Sequence, residues 1–382
     1  MTVNRKVMRV LASAATAAAL VGTVAACGGG AADAAKDCEF AIGSMGALTG
    51  DNAGLGTVMR DGAKTAVELY NKENPDAKVC LVEADSEGTE TKAPGVAKNL
   101  AKQENVLGVV GPGFSGESHA ALPIFEEAGL PIISGSATDP SLSEKGWKTF
   151  HRTLGNDATQ GPAAAAYIKD VLDPKSVFVI DDNSPYGKGL ADEVRKALGD
   201  VVKGDAQVEA KQTDFGAVVT AVASEKPDVV FFGGYYAEGG PLADQLKKGG
   251  VEATFVGADG LKDENFITAA GDAAEGVILT CPCIPGEQAE GDFAAQFEEI
   301  IGEAPGTYGA EAFDAANVFL DGIKDGVKTR EAMLEYIKSY DKPGASKNVK
   351  FTETGESQDV VVWAYKVENG VIVPAQQIEL GS

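Results

Sequence analysis

The chain has 382 residues and carries 57 acidic against 33 basic side chains, which gives a formal net charge of −24. An excess of negative charge of this size disfavours nucleic acid and anionic membrane surfaces as partners. The length is sufficient for two domains. Because the only histidines are His119 and His151, histidine-based acid–base chemistry is limited, and we predict that the protein is not an enzyme.

Residues 1–26 have the pattern of an export signal. A basic start precedes an apolar stretch that is too short and too rich in alanine for a membrane span. The stretch ends in Val24-Ala25-Ala26-Cys27, which resembles the lipobox of bacterial lipoproteins. This resemblance implies a lipid on Cys27, a flexible tether at 27–37 and a protein anchored at the outer face of the cell membrane. The alternative is an ordinary signal peptide followed by an incidental cysteine.

Four further cysteines, an even number in an exported chain, predict two disulfide bonds. Cys38 begins the first predicted strand and Cys80 lies in the second, so we pair these two across neighbouring strands. The remaining pair is Cys281 and Cys283, which a single proline separates. Free thiols or a redox site are the alternatives. A Cys-x-Cys without a nearby histidine is weak evidence for a metal, and we expect none.

Strands and helices alternate along the chain from residue 38 onward. Short apolar runs predict strands at 40–45, 78–83, 106–110, 131–134, 176–181, 229–233, 254–256 and 276–280. Helices are predicted between them, at 56–72, 91–103, 117–128, 159–171, 188–198, 215–224 and 239–248. This alternation predicts an α/β protein with parallel sheets and right-handed crossovers.

The last third of the chain departs from this alternation. Helices are predicted at 292–302, 310–325 and 330–340, and strands follow at 349–352, 359–367 and 371–379. Late helices followed by late strands indicate that the chain crosses back between two lobes. We expect one lobe to contain residues 38–156 and 285–345, and the other to contain residues 157–284 and 346–382.

Two polar loops follow neighbouring predicted strands between residues 109 and 140. The first, at 111–116, matches the Gly-x-Gly-x-x-Gly pattern of dinucleotide-binding loops. That pattern requires an acidic residue at the end of the next strand, where Ser134 and Gly135 stand instead. We therefore predict a smaller anion, with Ser115 as the N-cap of a helix whose free N–H groups favour a carboxylate. The alternative is that Ser115 only caps its helix.

Five segments, taken in order, carry a resemblance to a known family: FAIGSMGALTG at 40–50, the stretch at 109–140, RTLGNDATQGP at 152–162, DNSPYGKGL at 182–190 and FFGGYY at 231–236. Together they resemble the substrate-binding lipoproteins of branched-chain amino acid ABC transporters, which are type I periplasmic binding proteins. The resemblance implies two Rossmann-like lobes with parallel sheets, joined by three hinge segments around a ligand cleft. It also implies ABC permease and ATPase subunits as partners. We expect no cofactor and a monomer.

The resemblance implies a site for the polar head of an amino acid. Ser115 would bind the ligand carboxylate through its hydroxyl and backbone N–H, and Thr138 would add its own N–H. The Thr138 hydroxyl, the Ser136 carbonyl and the Asp259 carboxylate would bind the ammonium group. Tyr235 would close over the same head from the other lobe. Without the resemblance, Asp259 in its Gly-Ala-Asp-Gly sequence is most simply a turn residue.

The walls of the expected pocket match the family less well than the head site does. Tyr186 and Tyr308 match aromatic wall residues, whereas Leu55 replaces an aromatic one and Phe114 precedes the carboxylate-binding serine. These changes leave the side-chain preference of the pocket open. Asp157 is expected at a hinge, with capping of the following helix as the alternative.

We therefore predict an extracytoplasmic solute receptor that captures a small L-amino acid and delivers it to an ABC importer. Leucine, isoleucine and valine are the first expectation for the ligand. A receptor for another small amino acid or an amide, and a non-transport sensor on the same fold, are the alternatives. A secreted hydrolase or oxidoreductase is disfavoured, because no catalytic set of side chains is evident.

Overall fold

The computed structural model describes residues 38–380. The predicted signal peptide at 1–26, Cys27 and the remainder of the predicted tether at 27–37 lie outside the described residues. Between residues 38 and 380, no helix is both long enough and apolar enough to cross a lipid bilayer.

A five-stranded parallel sheet organises the first lobe. Its order is β2-β1-β3-β4-β5, with strands β1 (Phe40–Gly46), β2 (Val79–Asp85), β3 (Val106–Val110), β4 (Ile132–Ser134) and β5 (Phe150–Arg152). Every residue of β3, with the sequence VLGVV, is buried. This is expected for a central parallel strand that is covered on both faces.

A seven-stranded sheet organises the second lobe. Its members are β6 (Val177–Asp181), β7 (Val202–Gln207), β8 (Val229–Gly233), β9 (Thr254–Gly257), β10 (Ile278–Cys281), β13 (Val362–Glu368) and β14 (Val371–Ile378), in the order β14-β13-β10-β9-β8-β6-β7. Strands β6 to β10 pair in parallel, and β13 and β14 are antiparallel. A separate ribbon consists of β11 (Asp341–Pro343) and β12 (Asn348–Lys350).

Helices cover the faces of both sheets, as expected for parallel α/β architecture. They are α1 (Ala53–Glu73), α2 (Ala93–Ala101), α3 (Ser115–Glu127), α4 (Ser141–Glu144), α5 (Asp157–Tyr167), α6 (Pro185–Leu198), α7 (Gly216–Glu225), α8 (Tyr236–Lys248), α9 (Glu264–Ala270), α10 (Phe293–Ile301), α11 (Gly309–Lys324) and α12 (Arg330–Lys338). Helix α11 packs closely on β3, because Gly108 has no side chain. A Cβ at Gly108 would lie 2.2 Å from Cε1 of Phe319.

The chain passes between the two sheets three times. It leaves β5 for α5 and β6, returns after β10 to helices that pack on the first sheet, and leaves again before β13. The three passages lie side by side, since Pro282 and Val360 both lie 3.5 Å from the position of a Cβ at Gly155.

The third passage begins later than residue 346, the predicted boundary. The guanidinium of Arg152 pairs with Glu356, and the Arg152 N–H donates to the carbonyl of Gly355 at 2.9 Å. These contacts keep the chain on the first lobe to about residue 358. The sequence did not indicate this, because the segment contains no long apolar run.

Most predicted elements agree with the structure within a few residues, and the predictions of strands 106–110 and 229–233 are confirmed without a shift. The predicted ranges do not include β5, β11 or α4, which have only three or four residues each, nor β7 and α9. In β7 partly buried and exposed residues alternate at the edge of the sheet, so no apolar run marks it. Helix α9 has only seven residues, too few for a clear period.

Both disulfide bonds of the predicted pairing are present in the structure. Cys38 and Cys80 join the start of the first strand to its neighbour, with an S–S distance of 2.01 Å. Cys281 and Cys283 are joined at 2.02 Å, at the point where the chain leaves β10 for the first lobe.

Candidate functional site

A small cavity lies between the two lobes, beyond the carboxyl ends of strands from both sheets. This is the position at which open α/β sheets bind ligands. Eight residues singled out from the sequence line it: Leu55, Phe114, Ser115, Ser136, Tyr186, Tyr235, Asp259 and Tyr308. Met59, Gly113 and Gly260 complete the lining.

The loop after β3 places Ser115 at the cavity, although not as the predicted N-cap. Phe114 has the extended conformation of the cap position, with φ −118° and ψ 147°, and Ser115 is the first residue of α3. The backbone N–H of Asp139 donates to the Ser115 hydroxyl oxygen at 3.2 Å. The hydroxyl hydrogen and the backbone N–H groups of the first helical turn therefore remain as donors toward the cavity.

Ser136 and Thr138 lie in the neighbouring loop after β4. The Ser136 hydroxyl donates to the carbonyl of Gly113 at 2.6 Å, which ties the two loops together. Thr138 is fully buried but does not line the cavity directly, and its carbonyl accepts the Asp157 N–H at 2.9 Å. Within residues 38–380 its hydroxyl has no hydrogen-bond partner. That hydroxyl only approaches the Asp157 carboxyl, so it retains the capacity to bind another molecule.

Glu117 shapes the first of these loops, a role that the sequence did not suggest. Its carboxyl group is fully buried and accepts the N–H groups of Gly113 and Phe114 at 3.0 and 3.1 Å. It also contacts the Ser86 hydroxyl. Burial raises the pKa of Glu117 to about 7, although these hydrogen bonds act in the opposite direction.

Arg152 supports the second loop in a similar way. Its guanidinium is fully buried and donates to the carbonyls of Ala137 and Asp139 at 2.7 and 3.1 Å. Glu356 accepts from the same guanidinium and supplies a compensating charge. The backbone on either side of Thr138 is thus fixed by a side chain from β5. Sequence reasoning missed this role of Arg152, because the role depends on contacts between segments that are far apart in the chain.

Asp259 is the centre of the opposite side of the cavity. The hydroxyls of Tyr186 and Tyr308 each donate to one of its carboxylate oxygens at 2.7 Å. Gln160, which sequence reasoning missed, donates to the same oxygen as Tyr186, also at 2.7 Å. Burial raises the pKa of Asp259, and the three hydrogen bonds oppose that shift. Tyr308 precedes α11 on the first lobe, so its hydrogen bond joins the two lobes.

Aromatic and aliphatic side chains form the walls. The Tyr235 ring lies 5.3 Å from that of Phe114 and 5.0 Å from that of Tyr186, measured between centroids. Leu55 and Met59 come from α1, one turn apart on the same face. The spacing of four residues between Leu55 and Met59 is the sequence signal that could have identified Met59 as a wall residue.

Asp157 lies at the first passage between the sheets, where a hinge residue is expected. It is the first residue of α5 and is fully buried. Burial raises the pKa of its carboxyl well above the usual value, and the nearby Asp259 adds to this effect. The Thr138 hydroxyl and the Arg152 guanidinium act in the opposite direction.

The lobes also touch around the cavity. The Gly54 N–H donates to the Tyr236 hydroxyl at 3.0 Å, and the Lys262 ammonium group donates to the Thr307 hydroxyl at 3.2 Å. The described arrangement is therefore one in which the two lobes are in contact and the cavity is largely enclosed.

The cavity combines hydrogen-bond donors on one side with a carboxylate on the other. The Ser115 hydroxyl and helix N–H groups suit an anion. Asp259 and the Ser136 loop suit a cation. Histidine and cysteine are not among the lining residues, and no group of side chains suitable for a metal occurs between residues 38 and 380. The geometry is that of a binding site for a small dipolar molecule.

Comparisons with known proteins agree with this geometry. Residues 39–370 match the family model described as "Periplasmic binding protein". This chain belongs to the periplasmic binding protein family. The family is one of solute-binding receptors, and the predicted two-lobed α/β fold is confirmed.

Individual relatives of this periplasmic binding protein are similar over most of their length. The "Leu/Ile/Val-binding protein BraC3" of Rhizobium johnstonii is 35% identical over 88% of this chain and 94% of its own. A "Leucine-, isoleucine-, valine-, threonine-, and alanine-binding protein" of Pseudomonas aeruginosa is 30% identical over 85% of this chain and 89% of its own.

Solved structures show the same similarity. The branched-chain amino acid transporter substrate-binding protein LivJ of Streptococcus pneumoniae, in complex with isoleucine, has a TM-score of 0.83 and 27% identity. The match covers 89% of this chain and 99% of that one. The leucine-binding protein LivK of Thermotoga maritima has a TM-score of 0.82 and 26% identity, covering 89% and 98%. The predicted resemblance is thus confirmed.

Proposed function

We propose that this periplasmic binding protein captures a small L-amino acid, with leucine, isoleucine or valine first, and delivers it to an ABC importer. The observation that carries the proposal is that donors on the first lobe and Asp259 on the second line one and the same cavity. A zwitterion requires both kinds of partner, because burying either charge without one is costly. The relatives named for leucine, isoleucine and valine support the same ligand class.

In the proposed complex, each part of the ligand contacts its own set of groups in the cavity. The carboxylate binds the Ser115 hydroxyl and N–H and the Thr138 N–H. The ammonium group binds Asp259, the Ser136 carbonyl and the Thr138 hydroxyl. The aliphatic side chain contacts the wall formed by Leu55, Met59, Phe114 and the tyrosines Tyr186, Tyr235 and Tyr308.

Closure of the lobes would follow from these contacts. Ligand contacts that exist only when the lobes touch shift the population toward the closed form. Asp259 and Tyr235 come from the second lobe, whereas Ser115, Ser136 and Thr138 come from the first. A ligand that engages both sets therefore favours closure, and the three passages at Gly155, Pro282 and Val360 provide the hinge.

A broader specificity for small amino acids is the second candidate. The cavity is small, and Leu55 leaves its wall less aromatic than the family pattern implies. The Pseudomonas aeruginosa relative is named for threonine and alanine as well as for the branched-chain residues.

We further propose that Cys27 carries a lipid that anchors the protein at the outer face of the membrane, where a monomer meets ABC permease and ATPase subunits. The lipobox-like sequence Val24-Ala25-Ala26-Cys27 supports this. Metabolic labelling with a radioactive fatty acid should label the wild-type protein but not Cys27→Ser. Equal labelling of both proteins would contradict the anchor.

The ligand class is tested by thermal unfolding of protein that has been refolded to remove any bound ligand. A ligand that binds only the folded state raises the midpoint by mass action. We expect leucine, isoleucine or valine to give the largest rise, smaller amino acids to give less, and sugars and polyamines to give none. A folded protein that responds to no amino acid would contradict the proposed function.

A further inference from the structure

One group of contacts between the lobes lies outside the ligand cavity. Gly54, in the first turn of α1 on the first lobe, donates its N–H to the Tyr236 hydroxyl on α8 of the second lobe at 3.0 Å. Asp263 and Asn265, also on the second lobe, lie against the same glycine. Gly54, Tyr236, Asp263 and Asn265, called the latch below, do not line the cavity.

The latch depends on the absence of a side chain at Gly54. A Cβ at this position would lie 2.5 Å from Oδ2 of Asp263 and 2.8 Å from Nδ2 of Asn265. Asp263 cannot readily move away, because it is the N-cap of α9. Its Oδ1 accepts the Asn265 N–H at 2.8 Å and the Asn265 side-chain amide at 2.7 Å. A larger residue at position 54 would therefore hold the lobes apart or break this cap.

Gly54 is required by the contact between the lobes and not by its own helix. The three atoms nearest to a Cβ at Gly54 all belong to Asp263 and Asn265, on the other lobe. An alanine at position 54 would meet these atoms only when the lobes are together. Alanine is a better helix former than glycine, so α1 itself would accept the substitution.

The latch is coupled to the ligand site through neighbours in the sequence. Gly54 precedes Leu55, and Tyr236 follows Tyr235; Leu55 and Tyr235 both line the cavity. A ligand that engages these two walls brings the latch residues into contact at the same time. The latch then contributes free energy that is present only in the closed form, and this shifts the population toward closure.

We propose that the latch, which does not touch the ligand, sets how long the closed form holds its ligand, and that full closure requires glycine at position 54. This inference rests on the proposed function. It assigns a role in binding to residues outside the cavity. Because the latch contributes equally whichever ligand is bound, a change in it should alter the affinity for every ligand by the same factor.

The test measures ligand release from the wild type, Gly54→Ala and Tyr236→Phe. Each protein is loaded with radiolabelled leucine, and its release is followed after excess unlabelled leucine is added. We expect release from Gly54→Ala to be at least about tenfold faster, because the added methyl group is overpacked in the closed form. Tyr236→Phe loses one hydrogen bond and should release leucine about fivefold faster. Association rates should change by less than about threefold.

Calorimetric titration with leucine, isoleucine and valine then separates the latch from the pocket wall. Each variant should raise the three dissociation constants by one common factor, so the order of preference is that of the wild type. A changed preference would mean that the substitution displaces the wall at Leu55 or Tyr235, and this would overturn the inference.

Gly95→Ala is the matched control, since Gly95 lies in the first turn of α2, another helix of the first lobe. Within the described part of the chain, a Cβ at Gly95 would have no neighbour outside its own helix within 4 Å. This variant should release leucine at the wild-type rate.

The melting temperature of ligand-free Gly54→Ala should equal or exceed that of the wild type. A lower value would place the clash within a single lobe and overturn the inference, as would wild-type release of leucine from Gly54→Ala. If the wild type binds no amino acid, the proposed function fails instead, so the two failures are distinguishable.

Discussion

The first-lobe face of the cavity consists of hydroxyls and backbone groups from two neighbouring loops, whereas the second-lobe face consists of side chains from separate elements. Ser115, Ser136 and Thr138 all lie at the ends of adjacent strands. Asp259 is instead held by a glutamine from α5 and by tyrosines on either side of the cleft. The first-lobe face, called the donor face below, thus presents hydroxyl and backbone groups of two adjacent loops. The second-lobe face, called the acceptor face, depends on the single carboxylate of Asp259, which hydrogen bonds from separate elements hold in place.

This difference predicts on which face a side-chain substitution costs less ligand affinity. Backbone N–H groups persist when a side chain is replaced, so the donor face retains part of its function in most variants. The carboxylate of Asp259 cannot be replaced by a backbone group, and removing it also leaves the hydroxyls of Tyr186 and Tyr308 without their acceptor. Substitutions on the second lobe should therefore cost more affinity than comparable ones on the first.

The largest effect is expected for Asp259→Ala. Truncating one partner of a buried charge pair costs about 2–5 kcal/mol, so leucine affinity should fall by roughly thirtyfold or more. Calorimetric titration measures this loss, and Asp272→Ala, an exposed carboxylate elsewhere on the second lobe, serves as control. An Asp259→Ala protein that folds and binds leucine normally would remove the acceptor face from the proposed site.

The pH dependence of the stability of Glu117→Gln tests how Glu117 supports the donor face. Burial raises the pKa of Glu117 from 4.5 to about 7 in the folded protein, so folding takes up a proton between these pH values. This contribution to the free energy of unfolding is present below pH 4.5 and declines by up to about 3 kcal/mol as the pH rises to 7. Glutamine resembles the protonated acid, so the variant should lack this decline and gain stability relative to the wild type above pH 7.

Urea unfolding of the wild type and of Glu117→Gln between pH 5 and pH 8 measures the difference between their free energies of unfolding. Glu126→Gln is the control, because Glu126 lies on the same helix and accepts backbone N–H groups of Lys148 and Thr149, but is only partly buried. If the stability difference between Glu117→Gln and the wild type is the same at every pH, the carboxyl is not protonated on folding.

The smallest effect is expected for Thr138→Val, which removes one hydroxyl and preserves the shape. The loss should be about 1 kcal/mol of binding free energy, or five- to tenfold in affinity for leucine. The melting temperature without ligand should fall little, since within residues 38–380 this hydroxyl makes no well-formed hydrogen bond and only approaches the Asp157 carboxyl. Thr138→Ser should bind like the wild type. A lower melting temperature with unchanged affinity would assign the hydroxyl to the fold rather than to the ligand.

The sequence predicts the donor face well, because its residues belong to short segments with their own signals. The run Val106–Val110 marks a buried strand, and the glycines after it mark a loop at the strand end. Gly111 has a φ of +108°, a conformation that favours glycine. The one local error concerns Ser115, which is the first helical residue and not the cap, a difference of one position.

The side chains that hold the two faces in place could not be identified from the sequence. Glu117 reaches Ser86, Arg152 reaches Glu356, and Gln160 reaches Asp259, across separations of 31, 204 and 99 residues. No periodicity or spacing encodes such pairs, since each depends on how the lobes pack. The edge strand β7 was missed for the related reason that half of its residues face water.

The Cys281–Cys283 bond has a mechanical consequence for the motion of the lobes. The two Cα atoms are 5.1 Å apart, whereas two extended residues span up to about 7 Å. The second passage therefore cannot lengthen across Pro282 while the bond is intact. In the proposed opening of the cleft, the backbone torsions that change would therefore lie outside Cys281–Cys283, for example in the neighbouring passages at Gly155 and Val360.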